Sequence, residues 1–118
     1  MIKVKRIYEP AREGDGFRIL VDRVWPRGLS KVAAGIDLWL RDVAPSDTLR
    51  KWFAHDPQKW TAFKKKYHQE LRHKKDLLRQ ILDREKENRT VTLLYSAKDD
   101  QHNQAVALML FLNSTRQA

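Results

Sequence analysis

Thr90-Val91-Thr92-Leu93-Leu94-Tyr95 is the clearest strand in the sequence, apolar and β-branched almost throughout. The polar loop Ser96–Gln101 follows it. A last helix then begins at His102 or Asn103. Its Ala105, Val106, Leu108, Met109, Leu110 and Leu112 give a broadly apolar surface, which suits a helix packed against a sheet. Upstream of the strand, Asn88 can end a helical region carrying Trp60, Phe63, Tyr67 and Leu71, then Leu78, Ile81 and Leu82. As one helix, residues 58–86 would extend about 43 Å at 1.5 Å per residue. A domain of this size has a radius of gyration of only about 13–14 Å. A break is therefore expected where the apolar stripe skips a turn, at Arg72-His73-Lys74-Lys75.

Earlier elements come from local chemistry. Pro45-Ser46-Asp47 reads as a helix start, because Ser46 or Asp47 can accept from first-turn amides, with Leu49, Trp52 and Phe53 on one face. His55-Asp56-Pro57 ends that helix and opens the next, with Asp56 as cap and Pro57 at the first helical position. Ile36–Leu40 alternates with period two and reads as a short strand, with helix as the competing reading. Asp22–Lys31 is a loop around Trp25-Pro26, where proline imposes extended backbone on the residue before it. Phe17–Asp22 reads as a buried strand, Glu9–Gly16 as a turn, and Ile2–Tyr8 as a strand with one wet face. The connection between those two strands is too short for a helical crossover, so they are antiparallel neighbours or not neighbours. The expected fold is α/β: a small, layered single domain over residues 1–118, with a mostly parallel sheet of three or four strands flanked by helices.

Composition narrows the function. The 118 residues include 24 Lys and Arg against 15 Asp and Glu, a net charge of +9. Cysteine is absent, which excludes disulfides, thiolate metal sites and a cysteine nucleophile. No apolar run approaches the ~18–20 residues of a membrane span, and the N-terminus lacks a secretory apolar region. A cytoplasmic, bacterial-type protein without metal or cofactor is expected. Walker A, Gly-x-Gly-x-x-Gly and Gly-x-Ser-x-Gly motifs are all missing.

Several separated motifs occur in a familiar order. They are Leu20-Val21-Asp22-Arg23, Trp25-Pro26-Arg27-Gly28, Pro45-Ser46 with Leu49-Arg50-Lys51, Phe63 with Tyr67 and Glu70-Leu71, Thr92-Leu93-Leu94-Tyr95-Ser96-Ala97-Lys98, and Asn103 with Ala105. Over nearly its whole length the sequence resembles the DUF488 family of uncharacterised bacterial proteins, in its YeaO-like branch. The resemblance implies a small α/β domain. Distant members carry Cys, Glu and His near the end of the last strand. Here Tyr95 and Ala97 stand in the neighbourhoods of that Cys and Glu, so thiol or metal chemistry is not carried over.

In open α/β sheets, ligands bind beyond the carboxyl ends of the strands. If strands 17–22 and 91–95 are parallel neighbours, the loops after them open on one edge. That edge would collect Asp22, Arg23, Trp25, Arg27, Lys31, Tyr95, Ser96, Lys98 and Asn103. Arginine suits two-pronged recognition of phosphate or carboxylate, and a helix N-terminus favours an anion. An anionic small molecule, phosphorylated or nucleotide-like and stacked on Trp25, is the expected ligand. Asp22 is the candidate general base. The structural alternative is that Asp22 pairs with Arg23 or Arg27 to pin the loop, and that Trp25 is core. Asp99, Asp100 and His102 match no metal spacing and read as loop residues; His55 reads as a residue at a helix end, where a cation is favoured.

The basic segment 58–86 supports a second reading, nucleic-acid binding through Lys64, Lys65, Lys66, Lys74 and Lys75. Against it stands a solvated helix face with pairs such as Glu70–Lys74, whose aromatics lie on the apolar stripe and not between the lysines. A third reading is an interaction module without a ligand.

Overall fold

The computed structural model describes residues 1–116, so residues 117 and 118 of the expected domain lie outside the described residues. Four strands form one parallel sheet: β1 (Ile2–Arg6), β2 (Phe17–Leu20), β3 (Leu38–Trp39) and β4 (Val91–Tyr95), in the order β1-β4-β2-β3. The helices are α1 (Lys31–Ala34), α2 (Asp47–Phe53), α3 (Trp60–Leu71), α4 (Lys75–Asn88) and α5 (Gln104–Arg116). The radius of gyration is 13.4 Å.

β4 sits in the middle, and all five of its residues are buried. Leu93 stands opposite Val4 on one side and Ile19 on the other. β1 and β2 are therefore not neighbours, the second of the two sequence alternatives. The chain between them returns along one face of the sheet with only a single 3₁₀ turn at Glu13–Asp15. Lys5, Asp15 and Arg18 form an ion cluster beneath it, and the Thr92 hydroxyl donates to the Asp15 carbonyl at 2.7 Å.

Alternation along the strands divides two apolar layers. Ile19, Val21, Leu93 and Tyr95 join the larger core under α2 to α5, while Leu20 and Leu94 join Ile7 and Ala34 on the opposite face. The long helices thus cover one face. The other is closed by segment 25–36 through Trp25, Leu29 and Ile36. The helical region breaks between Leu71 and Lys75 as the length argument requires. Ser46 caps α2 by accepting from the Leu49 amide at 3.2 Å, and Asn103 caps α5 by accepting from the Val106 amide at 3.0 Å. Leu49 and Phe53 are buried as expected, but Trp52 is exposed.

Candidate functional site

Because β2 and β4 are parallel neighbours, the residues after them emerge at the same edge. The Val21 amide donates to the Leu94 carbonyl, which carries the pairing past β2 and brings Asp22 beside Ser96. Asp22 is buried, at 8% exposure. One carboxylate oxygen accepts from the Ser96 amide at 3.1 Å, and the other accepts from the side-chain amide of Gln104 in the first turn of α5. Burial pushes the Asp22 pKa up, while Ser96, Gln104 and the nearby His55 pull against it. Asp22 thus joins the ends of two strands to the start of a helix.

Around this joint lies an inner hollow of about 170 Å³. Asp22, Ser96, Asn103 and Gln104 are at its polar side, Phe53, Phe63, Ala44 and Pro45 among its apolar walls, and Arg23, Arg50 and His55 also line it. A wider, open hollow adjoins it, lined by Arg6, Tyr8, Arg27, His55, Ser96, Ala97, Lys98 and Asp99. Its frame is tied together by side chains. Arg6 donates through Nε to the carbonyls of Ser96 and Ala97 at 3.3 and 3.1 Å, and the Tyr8 hydroxyl donates to the Arg27 carbonyl at 2.8 Å. The Arg27 and Lys98 side chains are exposed and form no ion pair among the described residues.

The residues picked from sequence therefore divide. Asp22, Arg23, Ser96 and Asn103 line the inner hollow; Arg27, Lys98 and again Ser96 line the outer one. Arg23 is partly committed to the fold, donating to the carbonyls of Pro45 and Ala44 at 3.2 Å each. Asn103 is likewise engaged, as a cap and as a donor to the Asp99 carbonyl at 2.9 Å.

Three residues lie elsewhere. Trp25 donates to the Leu29 carbonyl at 2.6 Å and packs edge-on against Trp39 at 5.3 Å, so it belongs to the second apolar layer and lines neither hollow. Lys31 is exposed at the start of α1, and Tyr95 is buried in the main core with its phenol pKa raised by that burial. His55, Arg50, Phe53 and Gln104 are the lining residues that sequence reasoning missed as a set. His55 reaches both hollows because Ala54 and His55 adopt left-handed backbone in succession (φ 48° and 58°), a turn with no glycine to advertise it.

The basic segment is not a uniform solvated face. Lys74 is half-buried and donates to the Ala44 carbonyl at 2.8 Å; its burial lowers its pKa. Glu70 does not pair with Lys74 but accepts from the Ser46 amide and hydroxyl at 2.8 and 2.6 Å. Lys75 belongs to a separate open hollow with Arg72 and His73. Lys65 is exposed on α3, and Lys64 lies 5.4 Å from the Trp60 ring. Lys66 and Lys59 lie 4.9 and 5.0 Å from the ring of Trp52, so one aromatic does sit between lysines. Asp99 and His102 pair locally at 2.9 Å, and no metal-ligating cluster of three acidic or His residues occurs among the described residues.

The chain belongs to the DUF488 family: the family model described as the inactive DUF488-N3 subclade matches residues 1–118. The uncharacterised protein YeaO of Escherichia coli (strain K12) is 40% identical over 113 residues, which cover 96% of this chain and 97% of that one. The uncharacterised proteins Rv3073c of Mycobacterium tuberculosis (strain H37Rv) and Mb3100c of Mycobacterium bovis are each 43% identical over 70 residues, 59% of both chains. No solved structure matches the chain.

Proposed function

We propose that this member of the DUF488 family binds a small anionic molecule, phosphorylated or nucleotide-like, at the carboxyl edge of its sheet, in the cytoplasm. The observation that carries this reading is the meeting of Arg27 and Lys98, both unpaired among the described residues, in one open hollow beside Arg6 and His55. Guanidinium and ammonium groups converging on open space favour a phosphate or carboxylate. The role is binding without turnover. The matching subclade is described as inactive, which supports binding over catalysis by Asp22, the acid nominated as a general base. No helix among the described residues is long and apolar enough to cross a membrane.

A thermal-shift screen against phosphorylated metabolites and nucleotides tests the reading. Some phosphorylated compounds should raise the wild-type Tm, and Arg27→Ala should remove that shift while leaving the unliganded Tm unchanged. The reading fails if no phosphorylated compound shifts the Tm, or if Arg27→Ala shifts as the wild type does.

Nucleic-acid binding on α3 is a second reading, favoured by the exposed Trp52 between Lys59 and Lys66. It requires binding that weakens steeply between low and moderate salt and is lost on Lys64→Glu, Lys65→Glu and Lys66→Glu together. The metabolite site should not respond to those changes.

A further inference from the structure

The two hollows differ in character yet are continuous, since His55, Ser96 and Ala97 line both. The outer one presents Arg6, Arg27 and Lys98. The inner one presents the Asp22 carboxylate. A carboxylate offers about four acceptor positions, and Asp22 receives one donor on each oxygen. It therefore retains capacity for a further donor, whereas the guanidinium groups at this hollow are already engaged: Arg23 with the carbonyls of Ala44 and Pro45, and both Arg23 and Arg50 with Asp47 at 3.7 and 3.2 Å. Gln104 adds to this. Its side-chain nitrogen donates to Asp22, which leaves its carbonyl oxygen unpartnered among the described residues. At Asp22 and Gln104 the inner hollow thus accepts hydrogen bonds, while the outer one attracts negative charge through Arg6, Arg27 and Lys98.

Its shape is equally selective. Phe53 and Phe63 stack at 4.1 Å and both line the inner hollow, forming an aromatic wall. Its volume is about 170 Å³, and a cavity of roughly 150 Å³ accommodates one benzene ring. The hollow is thus of the size of one six-membered ring.

We infer that the hollows are two halves of one site, for a phosphorylated molecule whose other end is a single planar ring bearing a hydrogen-bond donor directed at Asp22. An amino-pyrimidine nucleotide has this chemistry. The inference rests on the anion-binding reading above and adds the polarity and size of the uncharged end.

Cytidine 5′-monophosphate and the 5′-monophosphate of pyrimidin-2-one riboside differ only in the amino group and make a matched pair of probes, with ribose 5-phosphate as the phosphate-only control. By isothermal titration, wild-type protein should prefer the amino-bearing probe by at least about tenfold, the factor one charge-assisted hydrogen bond supplies. In NMR titrations, the Ser96 backbone amide and the Gln104 side-chain amide should shift strongly only with that probe. The Arg27 and Lys98 signals should move with all three. Asp22→Asn should abolish the preference while retaining ribose 5-phosphate binding. If that variant does not fold, the wild-type comparison decides alone. Equal affinity for the matched probes, or a preference that survives Asp22→Asn, overturns the inference and leaves the anion site standing. Failure of all three phosphates to bind overturns both.

Discussion

The Tyr67 hydroxyl donates to the Val43 carbonyl at 2.6 Å inside the core, joining the middle of α3 to the end of a 3₁₀ turn, Arg41–Val43, that leads into the irregular segment before α2. The same segment is gripped by Lys74 and Arg23 on the Ala44 carbonyl, by Arg23 on the Pro45 carbonyl and by Glu70 on the Ser46 amide. Buried backbone outside helices and strands needs partners for its polar groups, and here side chains supply them. Ala44 and Pro45 form a wall of the inner hollow, so the grip also sets the shape of the candidate site.

Tyr67→Phe keeps the ring against Phe63 and removes only the hydroxyl. It leaves the Val43 carbonyl buried without that donor and should cost about 1–3 kcal/mol. Urea unfolding of variant and wild type measures this. A neutral substitution would mean that the segment holds without α3.

Asp22 gives stability an unusual pH signature. Burial raises its native pKa above the ordinary 3.8. Between those two values the native state keeps a proton that the unfolded chain has lost, so this group's contribution falls as pH rises through the window and then levels off. Asp22→Asn lacks that titration. The stability of wild type minus that of the variant, from urea unfolding between about pH 3 and pH 7, should therefore decline as pH rises. A difference that grows with pH contradicts the assignment.

Asp15 has the opposite sign. Burial works against its charge, but the Arg12 amide at 3.1 Å together with Lys5 and Arg18 holds its pKa below the ordinary value. Its stabilisation is fully present above the unfolded pKa and lost as pH falls through the lowered native one. Asp15→Asn strands the buried Arg18 without its counter-charge and should cost about 3–5 kcal/mol near neutral pH. Guanidinium unfolding checks the loss, which should shrink in acid.

Gly16 and Gly28 separate two costs. Both have positive φ, 63° and 74°. A Cβ at Gly16 would lie 2.2 Å from the Thr90 carbonyl oxygen, whereas one at Gly28 would meet nothing within 4 Å. Gly28→Ala should cost about 1–2 kcal/mol of backbone strain. Gly16→Ala adds a backbone clash and should cost more than about 3 kcal/mol. Tm values near one another for the two variants would mean that β2 can slide away from Thr90.

What was readable in the sequence was local. Ser46, Asp56 and Asn103 declare their helix starts because capping is chemistry within a few residues. The break after Leu71 follows from a gap in the apolar stripe, and the carboxyl-edge placement of Asp22 and Ser96 follows from the strands before them. The misplacements came from partners distant in sequence. Trp25 is drawn inward by Trp39, and Lys74 is drawn onto Ala44, 30 residues away. His55 enters the site only through two successive left-handed residues, Ala54 and His55, with no glycine to mark the turn. That β1 and β2 are separated depends on a strand some seventy residues later.

The position of that late strand has a consequence for biosynthesis. Translation delivers Ile2–Arg6 and Phe17–Leu20 long before Val91–Tyr95, the segment that bonds to both. Until it leaves the ribosome, the nascent chain carries two unsatisfied ribbons whose amides and carbonyls are open to any passing polypeptide. Assembly of the sheet thus waits for Val91–Tyr95, and shielding of residues 2–20 by a chaperone would matter most before that strand emerges.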